Sequence, residues 1–298
     1  MYKKILVPLD GSSSGEQTIP FARLLGSRLQ CPVELVRVYE PETVFFFPGL
    51  RDYQERAEAA AKHHEEARHS LDPIRDSLRA QGITATAVIH EPDPSPHVTS
   101  GPREAVLDPA HHIVEEAGKE ADTLIMMCTH GRSGVGRWTM GSVTDKVLHA
   151  TTSPLFVVRG AEGGSTSGEA TIGSIIVPLD GSAVAEQALP HAVALSKGLG
   201  VKLLLVTSIP SAESHAHEED HLRQLGERLV GDGAHSFEAR VLHGDPANVI
   251  VDLTHEMPDA LVTMTTHGRS GIGRWVLGSV TDRVVRYSGG PVLVTRAA

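Results

Sequence analysis

Short apolar runs alternate with amphipathic stretches along the whole chain. A run over residues 3–9 (KKILVPL) stops at Asp10-Gly11-Ser12, and residues 175–182 (IIVPLDGS) repeat it. Continuous apolar runs of this length are typical of strands buried in a parallel sheet. The same kind of pattern predicts further strands at residues 33–38 and 201–206, 84–89 and 237–242, 123–127 and 261–264, and 154–158 and 291–294.

Helical patterns lie between these strands. The residues that recur after each first strand are Glu16, Gln17, Pro20 and Ala22, then Glu186, Gln187, Pro190 and Ala192. We expect each proline near the start of its helix, where its missing N–H is tolerated. A long charged helix through Arg68 is predicted in the first half only, as are insertions near residues 45–48 and at 91–107. The last helices are expected to begin near Gly141 and Gly278.

Strands that alternate with helices predict an α/β fold with a parallel, doubly wound sheet, because parallel neighbours need crossover connections. We expect two tandem Rossmann-like domains, each with a five-stranded parallel sheet in the order 3-2-1-4-5. The predicted boundaries are residues 1–159 and 173–298. Residues 160–172 are rich in Gly, Ser and Thr and predict a flexible linker.

An internal repeat supports the two-domain organisation. The stretch 129–147 (THGRSGVGRWTMGSVTDKV) returns at 266–284 (THGRSGIGRWVLGSVTDRV), and 15 of the 19 positions are identical. Chance does not place two such glycine-rich stretches in one chain, so we infer a duplicated domain.

Composition and charge narrow the possible functions. The 298 residues are 40% hydrophobic and 21% charged, as in ordinary globular proteins, and the formal net charge of -10 argues against general binding to nucleic acid or anionic membrane. The N-terminal apolar run is shorter than the core of a signal peptide, and no stretch approaches the length of a membrane span. Cys31 and Cys128 are not at equivalent positions of the repeat. We therefore expect a cytoplasmic protein without a disulfide framework.

The glycine-rich stretch has the features of a phosphate site. In open α/β sheets, ligands bind beyond the carboxyl ends of the strands, where Asp10 and the stretch 131–142 are both predicted. The helix starting at Gly141-Ser142 would direct free backbone N–H groups towards such a ligand. The spacing is neither a Walker A loop nor a dinucleotide-binding G-x-G-x-x-G after the first strand.

These motifs resemble the universal stress protein family, whose ATP-binding members carry G-x2-G-x9-G-[S/T] after the fourth strand. Gly131 and Gly141-Ser142 fit the second part of that pattern, as do Gly268 and Gly278-Ser279. The resemblance covers both halves, including VPLDGS. The chain departs from the pattern at its first glycine, which is Cys128 in one repeat and Thr265 in the other.

The resemblance implies one adenine-nucleotide site in each half, holding ATP or another adenine nucleotide together with Mg²⁺ or Mn²⁺. Asp10 and Asp180 would contact the nucleoside, Val38 and Val206 would lie beside the adenine, and the glycine stretches would line the ribose and phosphates. The implied set in the first half is Pro8, Leu9, Asp10, Val38, Met127, Cys128, His130, Gly131, Arg132, Gly141, Ser142 and Val143. In the second half it is Pro178, Leu179, Asp180, Val206, Met264, Thr265, His267, Gly268, Arg269, Gly278, Ser279 and Val280.

Each of these residues also has an interpretation without a ligand. The glycine stretch could be a structural turn, Asp10 could cap the first helix, and the two motif arginines could simply be solvated. Trp138 and Trp275 fit packing or interface roles better than base stacking. The histidines beside the glycines could orient the loop.

Two other groups invite functional interpretations. His215, His217 and His221 form an acidic, histidine-rich run that could bind zinc, but it has no counterpart in the first repeat and resembles a solvated helix start. Cys128 lies near a predicted helix N-terminus, which could lower its pKa, although a small buried side chain explains it as well. No metal site is predicted from either.

Three functions remain open at this level. The first is an ATP-binding regulatory or stress-response module without catalytic residues, since no nucleophile with a matching base recurs in both repeats. The second is a slow ATPase or phosphotransferase. The third is a scaffold with degenerate sites. The apolar runs PLFVV and PVLVT are candidate edge strands, so we expect the two domains to pair as a pseudo-twofold unit, and whole chains to form homodimers.

Overall fold

The computed structural model describes residues 2–38, 53–90, 108–129, 140–160, 168–210, 216–266 and 277–297. For residues 53–60 it describes the backbone alone. The glycine-rich stretches at 130–139 and 267–276 and the two first-half insertions lie outside the described residues.

Strands and helices alternate along the first half, as the apolar pattern predicts. They are β1 (Lys4–Pro8), α1 (Ser13–Glu16), α2 (Ile19–Leu29), β2 (Val33–Val38), α3 (Tyr53–Ala80), β3 (Ala85–His90), α4 (Pro109–Gly118), β4 (Thr123–Cys128), α5 (Ser142–Ala150) and β5 (Leu155–Val158). The charged helix α3 runs past Arg68 to Ala80 and contains Pro73 in its interior. Leu71 and Leu78, on either side of this proline, are fully buried, and that burial offsets the missing backbone hydrogen bond.

The second half repeats this order with a shorter third helix. Its elements are β6 (Ser174–Pro178), a 3₁₀ turn (Ala185–Ala188), α6 (Leu189–Leu199), β7 (Lys202–Ile209), α7 (Ala216–Gly231), β8 (Phe237–His243), α8 (Pro246–Glu256), β9 (Ala260–Thr266), α9 (Ser279–Tyr287) and β10 (Val292–Arg296). Pro20 and Pro190 both lie in the first turn of their helices, as expected.

The ten strands of the described ranges belong to one continuous sheet. Its order is β3-β2-β1-β4-β5-β10-β9-β6-β7-β8, and neighbours within each half are parallel. Each half therefore has the predicted order 3-2-1-4-5, and the α/β fold class is confirmed.

The two halves meet through their fifth strands. β5 and β10 pair in antiparallel orientation, with Phe156 opposite Leu293 and Val157 opposite Val292. The strand order around this pair reads the same from both ends of the sheet. The two runs that were predicted to be edge strands thus cover each other, and the halves form the expected pseudo-twofold unit.

The sheet is apolar on both faces. Ile5 and Val7 pack in a cluster with residues of α2 and α3, whereas Leu6 points to the other face and packs with residues of α4 and α5. Helices of the second half extend both clusters. Because both faces are covered, the strands appear in the sequence as continuous apolar runs and show no polar alternation.

Within the described ranges, no helix combines the length and apolar character that crossing a membrane requires. The two cysteines, Cys31 and Cys128, are buried, and neither forms a disulfide.

Candidate functional site

The candidate site of each half lies at the carboxyl edge of the sheet, where the strand order reverses. β1 pairs with both β2 and β4, and β6 pairs with both β7 and β9. The loops after the first and fourth strands therefore leave the sheet side by side, which is the position where open α/β sheets bind ligands.

The loop after each first strand is organised by an aspartate. Oδ1 of Asp10 accepts hydrogen bonds from the backbone N–H of Ser12 at 3.0 Å and from its hydroxyl at 2.5 Å. Ser12 in turn caps α1, because its Oγ accepts the N–H of Gly15 at 3.0 Å. In the second half Asp180 accepts the N–H of Ser182 at 2.9 Å. The helix cap is thus the serine, and the aspartate holds that serine in place.

The helices after the glycine stretches begin as predicted. Gly141 and Gly278 are the N-caps of α5 and α9. Their backbone angles are nearly the same, with φ of -59° and -58° and ψ of 142° in both, and neither cap makes a side-chain hydrogen bond. Each cap is tied to the preceding strand, since Gly141 N donates to Thr129 O at 2.5 Å and Gly278 N donates to Thr266 Oγ1 at 3.3 Å. Among the described residues, no group accepts from the first N–H groups of either helix, so these groups suit an anion.

A cavity of about 230 Å³ lies at this edge in the second half. Nine predicted residues line it, namely Pro178, Leu179, Asp180, Val206, Met264, Thr265, Gly278, Ser279 and Val280. They come from β6, β7, β9 and the start of α9, so the fold brings together residues separated by up to about a hundred positions.

The sequence interpretation missed part of the lining. The additional residues are Ala185, Thr207, Ser208, Leu242, Pro246, Ile250 and Thr281. Thr207 and Ser208 were not predicted as site residues because β7 continues past its predicted end at Val206. The signal for Leu242 and Pro246 was present, since the third strand of this half passes almost directly into the next helix.

The strand register corrects one equivalence between the halves. Pro8 lies opposite Val36, and Pro178 lies opposite Val206. The counterpart of Val206 is therefore Val36, whereas the sequence comparison had matched Val206 with Val38. Val38 still lies at the carboxyl end of β2, and it packs against the same apolar cluster as Val36.

The remaining predicted residues of the first half occupy corresponding positions. Pro8 is the last residue of β1, and Leu9 and Asp10 follow it. Met127 and Cys128 end β4, and Gly141, Ser142 and Val143 lie at the start of α5. The predicted residues His130, Gly131, Arg132, His267, Gly268 and Arg269 lie outside the described residues, as do Trp138 and Trp275.

The two residues that replace the first motif glycine make different contacts. Cys128 is buried, and its carbonyl accepts the hydroxyl of Thr144 at 2.7 Å. Thr265 lines the second cavity, but its Oγ1 lies 3.0 Å from Oγ1 of Thr295 on β10. The hydroxyl of Thr265 therefore hydrogen-bonds within the protein, to the neighbouring strand.

A charged residue distinguishes the first half. Arg37 occupies the strand position that Thr207 has in the second half, one residue beyond Val36 and Val206 respectively. Its Nη1 donates to the carbonyl of Leu9 at 3.3 Å. The guanidinium thus lies against the backbone that carries Asp10.

No cluster of three or more His, Cys, Asp or Glu side chains suited to a metal ion occurs among the described residues. His217 and His221, in the histidine-rich run, belong to that part of the chain, and His215 lies outside it.

Comparison with known proteins agrees with this architecture. A model of the universal stress protein family matches residues 1–159 and 171–296. A universal stress protein of Mycolicibacterium smegmatis is 25% identical over 304 residues, covering 98% of this chain and 96% of the relative. One from Methanocaldococcus jannaschii is 27% identical over 145 residues, covering 44% of this chain and 85% of the relative.

A solved structure extends the match to the fold. The universal stress protein of Archaeoglobus fulgidus DSM 4304 superposes over 100% of both chains with a TM-score of 0.72 and 20% identity. At this identity the similarity shows a shared fold. Since the family model matches both halves and together most of the residues, the chain belongs to the universal stress protein family and carries its domain twice in tandem.

Proposed function

We propose that this tandem universal stress protein is a regulatory module that binds an adenine nucleotide in each half. The observation that carries the proposal is the cavity of the second half, where nine residues implied by the family resemblance come together, three of them at the start of α9. The first half presents the same elements in the same order.

The cavity has the composition of a nucleoside site. Val206, Leu242 and Ile250 give it an apolar wall, and Asp180 and Ser208 provide polar groups at its edge. Its volume of about 230 Å³ is below the range of about 300–1,000 Å³ that holds a whole drug-sized ligand. The base and sugar fit such a space, with the phosphates lying over the helix start outside it.

The start of α9 supplies what phosphates need. The N-terminus of a helix carries roughly half a positive elementary charge together with N–H groups that lack helical partners. Ser279 is exposed and adds a hydroxyl donor. The proposed complex includes Mg²⁺ or Mn²⁺, since an ion such as Mg²⁺ in nucleotide sites is bound through the phosphates together with several waters.

A regulatory role is proposed in preference to catalysis. Phosphoryl transfer needs a positioned nucleophile or water with a group that orients it. Asp10 and Asp180 instead hold the serine that begins the following helix turn. Their carboxylates thereby shape the loop beside the nucleoside.

We also propose the domain boundaries, the oligomeric state and the location of the protein. The domains are proposed to span residues 1–159 and 173–298, with residues 160–172 as the linker between them. Whole chains are proposed to form homodimers, which a monomeric mass in light scattering would contradict. The cytoplasm is the proposed location, consistent with two cysteines that form no disulfide.

The test changes Ser142 and Ser279, the first residues of α5 and α9, the helices that begin at the two candidate sites. Replacing Ser279 with Glu adds a negative charge that favours the helix dipole but repels a phosphate. We expect calorimetric titration with ATP and Mg²⁺ to give two sites in the wild type, one in S279E, one in S142E, and none in the double variant. The thermal melt of each variant should match the wild type or exceed it.

Two results would contradict the proposal. One is the absence of adenine-nucleotide binding by the wild type at millimolar concentration. The other is unchanged stoichiometry in the double variant. Steady ATP turnover that disappears in D10A/D180A would instead favour the alternative function, a slow ATPase or phosphotransferase.

A further inference from the structure

The helices that begin at the two candidate sites, α5 and α9, each carry an aspartate in the first turn. Asp145 and Asp282 come three residues after the first residue of their helix. Their backbone N–H groups donate to the carbonyls of the N-cap residues Gly141 and Gly278, both at 2.9 Å. The N–H groups proposed to bind phosphate therefore belong to the three residues just before each aspartate.

A carboxylate at this position opposes phosphate binding unless its charge is compensated. An α-helix rises about 1.5 Å per residue, so each aspartate lies only about 4.5 Å further along the axis than the first residue of its helix. Helical side chains also lean towards the N-terminus, which brings the carboxylate nearer to the proposed phosphates. Like charges at such a distance repel each other even through water.

One guanidinium compensates both carboxylates. Arg286, in the last turn of α9, has its Nη2 3.0 Å from Oδ1 of Asp145 and its Nε 2.8 Å from Oδ1 of Asp282. An arginine stays protonated throughout the physiological pH range. The side chain of Arg286 is 27% exposed and those of the two aspartates are 38% exposed, so water screens these contacts only in part.

At the corresponding place the first half has a histidine. His149 and Arg286 each lie seven residues after the first residue of their helix. Nδ1 of His149 lies 2.7 Å from the backbone carbonyl oxygen of Asp145 and 3.7 Å from its Oδ2. A histidine is charged only when it is protonated. The permanent positive charge beside the aspartate of α5 therefore comes from the second half.

We propose that Arg286 is a positioning residue shared by both sites, which favours ligands with a phosphate by neutralising Asp145 and Asp282 at the starts of α5 and α9. The inference rests on the proposed nucleotide function. Arg286 acts through the two carboxylates, so its charge affects the phosphates and leaves the contacts of base and sugar unchanged. The first site has this charge only because the second half is joined to it.

The experiment compares AMP with adenosine, which lacks the phosphate. Both are titrated calorimetrically into single-site proteins, since S279E retains the first site and S142E retains the second. We expect R286A to weaken AMP binding about fivefold at either site, the effect of an uncompensated carboxylate about 7 Å from a doubly charged phosphate. Adenosine affinity should change by less than about twofold, whereas a general loss of packing would weaken both ligands alike.

Removing the carboxylate tests the mechanism independently of adenosine. Asparagine has the shape of aspartate without its charge. Asp145→Asn should therefore restore AMP binding in S279E/R286A, and Asp282→Asn should restore it in S142E/R286A. Thermal melts report whether each variant retains the fold.

Arg223 provides a control for the change in net charge. It lies on α7 with its side chain 56% exposed, and its printed ion-pair partners, Glu219 and Asp220, belong to the same helix. The apolar side chains of α7 pack on one face of the sheet and those of α9 on the other. R223A removes the same charge as R286A, and AMP affinity should stay within about twofold of the parent protein because the Arg223 charge is screened and distant.

The possible failures are distinguishable. Unchanged AMP affinity in R286A overturns this inference and leaves nucleotide binding standing. Equal losses for AMP and adenosine do the same, as does AMP binding that the asparagine substitutions fail to restore. Absence of adenine-nucleotide binding by the wild-type protein overturns the proposed function, and this inference falls with it.

Discussion

Arg286, in the last turn of α9, donates its Nη2 to Oδ1 of Asp145, in the first turn of α5, at 3.0 Å across the junction of the two halves. Its Nε also donates to Oδ1 of Asp282 at 2.8 Å. Burial alone would lower the pKa of Arg286, but the carboxylates of Asp282 and Asp145 raise it. One guanidinium thus joins the helices that begin at the two candidate sites.

Two further arginines tie the same helices across the junction. Arg296, at the end of β10, donates to the carbonyl of Leu148 in α5 at 2.6 Å. Arg159, directly after β5, donates to the carbonyl of Ser288 at the end of α9 at 3.1 Å. Each half therefore provides an arginine that binds the C-terminal end of the other half's site helix, where the helix dipole favours a cation.

We predict a measurable coupling between Arg286 and Asp145. A double-mutant cycle with R286A, D145A and the double variant should give about 0.5 kcal/mol in chemical denaturation, since both side chains are partly exposed and water screens the pair. The coupling should fall as salt is raised.

A surface pair provides the matched control. Arg223 and Glu219 lie 3.6 Å apart on α7, and both side chains are 56% exposed. Their cycle should give no more than about 0.3 kcal/mol. A junction coupling no larger than this control would show that the contact between Arg286 and Asp145 does not help to hold the halves together.

The sequence predicted the strands of the junction but not these arginine contacts. PLFVV and PVLVT are visible as apolar runs, because strand burial leaves a local pattern. Arg286 and Asp145 are 141 positions apart, and their contact exists only once β5 and β10 have paired. Side-chain contacts that depend on such long-range pairing leave no local pattern.

The misassigned register of Val38 has a different cause. Side chains of a strand alternate between the two faces, so a shift of two residues preserves the pattern. Val36 and Val38 pack on the same cluster, and apolar periodicity cannot distinguish them. The extension of α3 past Pro73 was missed because its support comes from tertiary packing of Leu71 and Leu78.

A contact between Tyr2 and His191, which also joins the two halves, should make stability depend on pH. The hydroxyl of Tyr2 lies 2.8 Å from Nδ1 of His191, and the two rings stack. Burial lowers the pKa of His191 in the folded protein. As the pH falls, His191 is therefore protonated in the unfolded chain before it is protonated in the folded one. The contribution of His191 is present above the ordinary histidine pKa of about 6.5 and is lost below it.

The check is urea denaturation of the wild type and H191Q at pH 7.5 and 5.5. All other residues are the same in both proteins. The difference between the stability that the wild type loses on acidification and the stability that H191Q loses therefore measures the contribution of His191. We expect the wild type to lose more stability on acidification than H191Q does. Parallel losses would contradict the assignment.

The thiol of Cys31 should be unreactive in the folded protein. Burial is the main cause that raises its pKa to about 11, and the negative charge of Glu120 adds to the shift. An unfolded thiol has a pKa of about 8.5, so at pH 8 the thiolate fraction should be more than about a hundredfold lower in the native state. Iodoacetamide labelling followed by mass spectrometry of the Cys31 peptide, with and without urea, measures this directly. Comparable native and unfolded rates would contradict it.

The last prediction concerns the glycine beside each aspartate. Gly11 and Gly181 have φ angles of +76° and +78°, so alanine is strained at both and should cost about 1 kcal/mol. At Gly11 an added Cβ would also lie 2.7 Å from Nη1 of Arg37, whereas nothing lies within 4 Å at Gly181. The guanidinium would have to move and give up its hydrogen bond to Leu9. G11A should therefore be less stable than G181A by about 0.5–1.5 kcal/mol in chemical denaturation. The same comparison in an R37A background separates the two causes: the difference should vanish there, and a difference that persists would place its origin in the backbone and not in Arg37.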